Sequence, residues 1–260
     1  AIVMDEVRKN GVRLLPVDSE HCAIHQCIGK NEKEEISKLI LTASGGPFFG
    51  YTSEQLKNIT LEDALAHPTW KMGAKITVDS ATLMNKGFEV IEAVHLFDVD
   101  ADRIQVVVHR ESIIHSMVEY ADGSVIAQMG HPDMREAIQF AFSFPQRLTL
   151  DNRKLNFAEL GSMSFFAPDM DRFPALKLAY EALEKGGNMA CVMNAANEAA
   201  VAAFLQERIG FYDITDIVAD CMAGADFAAN PDLDTIFKTN EETLAKAAEK
   251  ISLVAAKRTI

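Results

Sequence analysis

Long hydrophobic runs, metal-binding cysteine pairs and a surplus of basic residues are all missing from this chain of 260 residues. No apolar run approaches the roughly 18 residues of a membrane span, which argues against a transmembrane helix. The four cysteines include no CxxC pair and fit no zinc motif, so we expect free thiols and a cytoplasmic location. The net charge of −13 argues against a nucleic-acid or anionic-membrane partner.

Nucleotide-binding glycine loops are missing as well. Ser44, Gly45 and Gly46 follow a predicted buried strand, but neither the P-loop pattern nor Gly-x-Gly-x-x-Gly is present. Glycines let backbone N–H groups converge on an anion, and Ser44 adds a donor. A plain tight turn is the alternative interpretation of this loop.

We predict an α+β fold, in which a mixed-sheet domain with flanking helices is followed by a small C-terminal helical bundle. Residues 48–74 form a long connection of the kind that is usually a functional lid, or flap, or else is disordered. The predicted strands are 12–17, 37–42, 103–108, 114–120 and 124–129, the last two forming a hairpin through Asp122-Gly123. The predicted helices are near 82–96, after Pro132, and at 175–185, 188–208, 213–225 and 240–257.

The segment from Ser80 to Glu89 is the richest in chemistry. Read as one helix, it places Asn85, Lys86 and Glu89 on a single face. A helix start with a hydroxyl, an amide and a lysine suits a phosphate, and a carboxylate one turn later suits a divalent cation. The alternative is an ordinary amphipathic helix with a solvated charged side.

A second acidic pair, Asp18 and Glu20, follows the first predicted strand. In an extended segment these side chains point the same way, and two adjacent carboxylates repel each other unless a cation lies between them. Oxygen ligands of this kind suit Mg²⁺ or Mn²⁺. The alternative is that Asp18 or Ser19 caps a helix beginning near His21.

Two further positions are candidates for loop and acid–base roles. Trp70, the only tryptophan, closes the long connection and is able to cover a ligand and exclude water, or else simply anchors the loop. His115 is an acid/base candidate, although a structural histidine is the commoner case. On the helical face of Asn194, Asn197 and Glu198 we expect interhelical hydrogen bonds.

Four ordered motifs together resemble the 1-deoxy-D-xylulose 5-phosphate reductoisomerase family, the fosmidomycin-inhibited enzymes of the non-mevalonate isoprenoid pathway. They are LLPVDSEH at 14–21, TASGGPF at 42–48, HPTWKMG at 67–73 and VDSATLMNKG at 78–87. Shorter matches are DGS at 122–124, GHPDMR at 130–135 and NAANE at 194–198. The resemblance therefore runs nearly end to end.

The resemblance implies an NADPH-dependent oxidoreductase that isomerises 1-deoxy-D-xylulose 5-phosphate and reduces it to 2-C-methyl-D-erythritol 4-phosphate. It implies that Asp18, Glu20 and Glu89 bind Mg²⁺ or Mn²⁺, and that Lys86 joins them as a catalytic residue. The substrate-binding residues it implies are Ser19, Ser44, His67, Trp70, Met72, Ser80, Asn85, Lys86 and His115. It also implies a homodimer.

The family begins with an NADPH-binding domain that has no match here, so we expect no cofactor-binding residue in this chain and no reduction by the chain alone. The domains implied are a cofactor-domain exit helix at 1–13, an α+β catalytic domain at 14–143, a linker at 144–173 and a helical domain at 174–260. Two other functions remain open. One is a metal-dependent phosphosugar aldolase or isomerase without hydride transfer, and the other is a non-catalytic phospho-ligand binding module.

Overall fold

The computed structural model describes residues 2–31, 33–67, 70 and 72–258. This part of the chain divides into two compact units. The first consists mainly of residues 3–45 and 92–168, and the second of residues 46–91 and 169–258. The domain boundaries implied by the family resemblance stay a prediction, because a compact unit can combine segments that are distant along the chain.

The first unit is built on one mixed sheet, whose strands within the described residues are β1 (Ile36–Ala43), β2 (Ile104–Val108), β3 (Ile114–Tyr120) and β4 (Val125–Met129). Their order is β2-β1-β3-β4, with β1 and β2 parallel and the other two pairs antiparallel. Leu39 of β1 lies opposite Ile104 on one side and Val118 on the other. A central strand that is covered on both faces explains why residues 39–43 of β1 are all buried rather than alternately exposed.

Helices flank this sheet in the first unit: α1 (Ile2–Asn10), α2 (Ser19–Ile28), α7 (Met134–Ser143) and the short α8 (Phe157–Leu160). Helix α2 contacts β3 and β4, and its Ile24 is fully buried. The predicted hairpin is confirmed, since Gly123 has a φ of 85° and the Ser124 N–H donates to the Asp122 carboxylate over 2.8 Å.

The second unit is helical and contains α3 (Ser53–Leu56), α4 (Leu61–Leu65), α5 (Ala74–Thr82), α6 (Met84–Phe97), α9 (Ala175–Lys185), α10 (Met189–Leu205), α11 (Phe211–Ala223) and α12 (Leu233–Arg258). Of α6, only residues 84–91 belong to this unit. Helix α10 contacts α5, α9, α11 and α12, so it forms the centre of this unit. None of the helices in the described ranges is long and apolar enough to cross a membrane.

One predicted strand is absent from the structure, and one helix was not predicted. Residues 12–17 pair with no strand of the described residues. Val12 and Val17 are more than two-fifths exposed and Pro16 lacks a backbone donor, so the segment has neither the burial nor the full set of donors that favour a strand. Helix α5 was not predicted, because its β-branched residues lower helix propensity and its N-cap, Gly73, makes no side-chain cap. Both errors arise where local signals are weak.

Candidate functional site

The first turn of α2 carries the acidic pair predicted from the sequence. The Asp18 carboxylate accepts the Glu20 N–H over 3.3 Å, so Asp18 is the N-cap of α2. The Ser19 hydroxyl donates to the Glu20 carboxylate. The capping alternative is therefore confirmed, and it leaves the metal-binding hypothesis open, because the dipole of a helix N-terminus favours negative charge.

His21 and Glu92 join this acidic cluster, and sequence reasoning missed both. His21 is 2% exposed, and its Nε2 lies 2.9 Å from the Glu92 carboxylate. Its Nδ1 has no hydrogen-bond partner among the described residues. Potential ligand atoms of Asp18, His21 and Glu92 all lie within 4.8 Å of one another. The only sequence signal was the position of His21 directly after the acidic pair.

His115 lies on β3, in the same unit. The Thr42 hydroxyl donates to the His115 carbonyl over 2.8 Å, which joins the strand to β1. Burial lowers the pKa of His115, while the Glu20 carboxylate acts in the opposite direction. A histidine held neutral is able to accept or donate a proton, depending on its tautomer.

The glycine loop after β1 begins in the first unit. The Ser44 carbonyl accepts a hydrogen bond from the Arg110 guanidinium over 2.8 Å, a residue that sequence reasoning missed. Gly46, the first residue of the second unit, has a φ of 63°. A Cβ placed on Gly46 would lie 2.9 Å from the Ser80 carbonyl oxygen, so only glycine allows this close approach.

Ser80 lies in the last turn of α5 and not at a helix start, which corrects the sequence interpretation of 80–89 as one helix. Helix α5 ends at Thr82, Leu83 adopts the left-handed conformation with a φ of 63°, and α6 begins at Met84. Asn85 and Lys86 are therefore the residues in the first turn of a helix, and Ser80 belongs to the preceding one.

His67 connects Ser80 to the predicted flap. The Trp70 N–H donates to His67 Nδ1 over 2.9 Å, and His67 Nε2 lies 3.2 Å from the Ser80 hydroxyl. An occupied Nδ1 acceptor places the proton of the neutral imidazole on Nε2, where it is donated toward Ser80. Trp70 and Met72 are half-buried, whereas Pro68, Thr69 and Lys71 of the same motif lie outside the described residues.

The first turns of α6 hold a buried charge pair. Lys86 is 4% exposed and Glu89 2% exposed, and the Lys86 ammonium donates to the Glu89 carboxylate. The Asn85 amide donates to the other carboxylate oxygen over 2.6 Å. The predicted shared face of these residues is confirmed, and the alternative of a solvated charged side is wrong. A buried ammonium and a half-buried amide beside a buried carboxylate have the chemistry to hold an anion and a cation.

Within each unit the structure thus brings part of the predicted set together. The first unit contains Asp18, Ser19, Glu20, Ser44 and His115. The second unit contains His67, Trp70, Met72, Ser80, Asn85, Lys86 and Glu89. Three carboxylates are hard oxygen donors, which fit Mg²⁺ or Mn²⁺ better than a thiophilic metal.

Two family models match this chain, one in each half, and both describe the same enzyme family. A model described as the 1-deoxy-D-xylulose 5-phosphate reductoisomerase C-terminal domain matches residues 14–97, and a second, described as the DXP reductoisomerase C-terminal domain, matches residues 129–246. The chain belongs to this family. The resemblance drawn from the four sequence motifs is confirmed.

Relatives and solved structures of the reductoisomerase family agree with the assignment. The 1-deoxy-D-xylulose 5-phosphate reductoisomerase of Acetivibrio thermocellus is 55% identical over 90% of this chain and 62% of its own length. The Zymomonas mobilis enzyme in complex with NADPH is 45% identical, with a TM-score of 0.90 over 96% of this chain and 65% of that one. A DOX-P reductoisomerase with NADPH, fosmidomycin and magnesium is 42% identical, also with a TM-score of 0.90, and is covered to 66%. The chain therefore spans somewhat less than two thirds of these proteins.

Proposed function

We propose that this chain provides the metal- and phosphosugar-binding part of an NADP-dependent 1-deoxy-D-xylulose 5-phosphate reductoisomerase in non-mevalonate isoprenoid biosynthesis. The observation that carries the proposal is the buried pair of Lys86 and Glu89 with the half-buried Asn85 beside it, which combines an anion-binding ammonium with a cation-binding carboxylate. The relatives and solved structures support the choice of substrate, because they bear this enzyme's name.

The metal half of the proposal assigns Asp18, Glu20 and Glu89 as ligands of Mg²⁺ or Mn²⁺. A solved relative contains magnesium together with fosmidomycin, which supports this choice of metal. When bound, the ion supplies Lewis-acid polarisation of substrate oxygens. The carboxylates hold it, and Ser19 orients the oxygenated carbons of the substrate beside them.

The phosphate half assigns Ser44, His67, Ser80, Asn85 and Lys86. Lys86 supplies the charge, and the hydroxyl of Ser80 and the Nε2–H of His67 supply neutral donors. Holding the phosphate away from the reacting carbons orients them without altering their reactivity. Trp70 and Met72 cover the carbon skeleton and exclude water, and His115 lies near the reacting oxygens as a neutral group.

The hydride-transfer step is not assigned to residues of this chain. The described residues include a parallel pair, β1 and β2, but the loop after β1 lacks the Gly-x-Gly-x-x-Gly pattern of a dinucleotide site. We therefore assign no NADPH-binding residue in this chain. We expect the 260-residue chain to bind metal and phosphosugar and not to reduce the sugar by itself.

Two further parts of the proposal concern assembly and location. We propose a homodimer, supported by the apolar edge strand β4, where Val125 and Ile126 are 49% and 45% exposed. Unpaired edge strands are ready surfaces for association with another chain. The free thiols of all four cysteines support a cytoplasmic location.

Calorimetric titration with Mn²⁺ tests the metal assignment. Glu20→Gln should raise the Mn²⁺ dissociation constant at least about tenfold. Loss of a residue that only hydrogen-bonds a metal ligand already costs about 10- to 100-fold in metal affinity, and loss of an anionic ligand should cost no less. Glu62→Gln is the matched control, since Glu62 also lies in the first turn of a helix. Equal Mn²⁺ affinity in Glu20→Gln and the wild type would refute the assignment.

A further inference from the structure

We propose that Asp79 and Asn197 are positioning residues that fix the rotation of α5 about its axis and thereby place the Ser80 hydroxyl for phosphate binding. This inference rests on the proposed function, because it concerns the phosphate half of the same site. Neither residue belongs to the set that would touch the substrate. Both lie in the second unit, on α5 and α10.

The contact between the two side chains is buried and specific. The Asn197 amide donates to one oxygen of Asp79 over 2.9 Å, with Asp79 2% exposed and Asn197 fully buried. The Lys75 ammonium lies 2.8 Å from the other Asp79 oxygen and 2.9 Å from the Glu198 carboxylate. Each oxygen of Asp79 therefore has its own donor, and one of these donors comes from a different helix.

Helix α5 depends on such a tertiary contact for its orientation. It has nine residues, its N-cap makes no side-chain hydrogen bond, and it ends at the left-handed Leu83. A helix this short has little stability of its own. Helix α10 is the centre of the unit, so a hydrogen bond from Asn197 ties α5 to the most extensively packed element.

Rotation of α5 moves Ser80 directly, because Ser80 follows Asp79 in the sequence. A Cα lies about 2.3 Å from the helix axis, so a rotation of about 20° displaces it by about 0.8 Å. Displacements of about 1 Å are enough to cost roughly a hundredfold in reaction rate where they misplace a positioning group. The 3.2 Å contact between Ser80 and His67 and the close approach of Gly46 to the Ser80 carbonyl would both be disturbed.

A purely stabilising role would not require polar groups here. Two apolar side chains of similar size hold helices together without the desolvation cost of a buried carboxylate, and such replacements are often neutral or stabilising. The side-chain oxygen of Asn197 even has no hydrogen-bond partner among the described residues. What the polar pair adds is a directional bond, which fixes the angle between elements where an apolar contact allows several.

The test measures fosmidomycin affinity in the presence of Mn²⁺, Mn²⁺ affinity alone and the thermal midpoint, all with the 260-residue chain. The double variant Asp79→Leu/Asn197→Leu should lose about 10- to 100-fold in fosmidomycin affinity, the loss expected when a hydrogen bond to a charged group is broken, while Mn²⁺ affinity changes less than about threefold. Asp79→Asn should bind fosmidomycin within about threefold of the wild type, because its amide oxygen still accepts from Asn197.

Inverting the pair keeps the test decisive where the leucine variant fails to fold. Asn197→Asp faces one carboxylate with another and should weaken fosmidomycin binding, and adding Asp79→Asn should restore it by reversing the hydrogen bond. Lys75→Met is the control that removes the ammonium shared by Asp79 and Glu198 and leaves the Asn197 hydrogen bond in place. The inference is overturned if Asp79→Asn/Asn197→Asp binds fosmidomycin no better than Asn197→Asp, or if Asp79→Leu/Asn197→Leu binds it with wild-type affinity. In either case the proposed function stands. A wild-type chain that binds neither probe overturns both.

Discussion

The N-terminal turns of α2 and α6 both carry charged groups of the candidate site, and they differ in what compensates those charges. At α2, Asp18 is exposed and Glu20 half-buried, so water and local backbone donors solvate the carboxylates. At α6, Lys86 and Glu89 are almost completely buried, so protein groups compensate their charges, and the two side chains are among each other's partners. Removing one member should therefore have small consequences for stability at α2 and large ones at α6.

The largest effect is expected from Lys86→Met. Loss of the ammonium leaves the Glu89 carboxylate buried without its counter-charge, so the free energy of unfolding should fall by about 3–5 kcal/mol. Urea denaturation measures the change. Lys57→Met is the matched control, because Lys57 and Glu54 also form an i,i+3 pair, 3.0 Å apart but exposed, and its loss should cost less than about 0.5 kcal/mol. Equal losses of unfolding free energy in the two variants would contradict the expected difference between a buried and an exposed ion pair.

A smaller effect should appear when both members of the α6 pair are replaced. Lys86→Met/Glu89→Leu removes both charges together, so it should recover at least about 2 kcal/mol of the loss in Lys86→Met. The same variant should no longer bind Mn²⁺ or fosmidomycin. If denaturation shows the double variant to be less stable than the single one, burial of an unpaired charge is not the cause of the loss.

Changes at Asp18 should separate its two roles at α2. Asp18→Ala removes the cap and should lower the free energy of unfolding by about 0.5–2 kcal/mol, whereas Asp18→Asn keeps a capping oxygen and should cost only a few tenths, roughly. Both should weaken Mn²⁺ binding in calorimetry, because each removes a negative charge. Full Mn²⁺ affinity in Asp18→Asn would limit Asp18 to capping.

The smallest effect concerns the last turn of α2. Burial lowers the pKa of His25, and the Arg13 guanidinium acts in the same direction. The unfolded chain therefore takes up this proton first, and the contribution of a neutral His25 to stability is lost as the pH falls below about 6.5. Between pH 7 and 5, wild type should lose about a few tenths of a kcal/mol more than His25→Gln, since half-burial leaves the charge screened. An identical pH dependence of unfolding would contradict this.

Regular elements with strong local signals could be predicted from the sequence. The apolar run of β1, the Asp-Gly turn before β4 and the glycine stop after α9 each appear in the structure as expected. The left-handed turn at Leu83 could not be predicted, because nothing in the local sequence favours that conformation at a leucine. The expected helix over 80–89 was therefore divided into two.

The candidate site was predicted in its residue types more than in its contacts. The shared face of Asn85, Lys86 and Glu89 followed from helical spacing, and the structure confirms it. Two contacts depend instead on tertiary packing. His21 contacts Glu92, which lies 71 residues away in the sequence, and Asp79 contacts Asn197, which lies 118 residues away. Interhelical bonding of Asn197 was expected, but no local pattern named its partner.

The most direct test of the central assignment is the thermal midpoint of the 260-residue chain with Mn²⁺ and fosmidomycin together. At concentrations about a hundred times their dissociation constants, a site that binds both only in the folded state should raise the midpoint by about 10 °C. Glu20→Gln and Lys86→Met should each abolish most of that increase. A wild-type midpoint unchanged within about 1 °C would contradict the existence of a metal-assisted phosphosugar site in this chain.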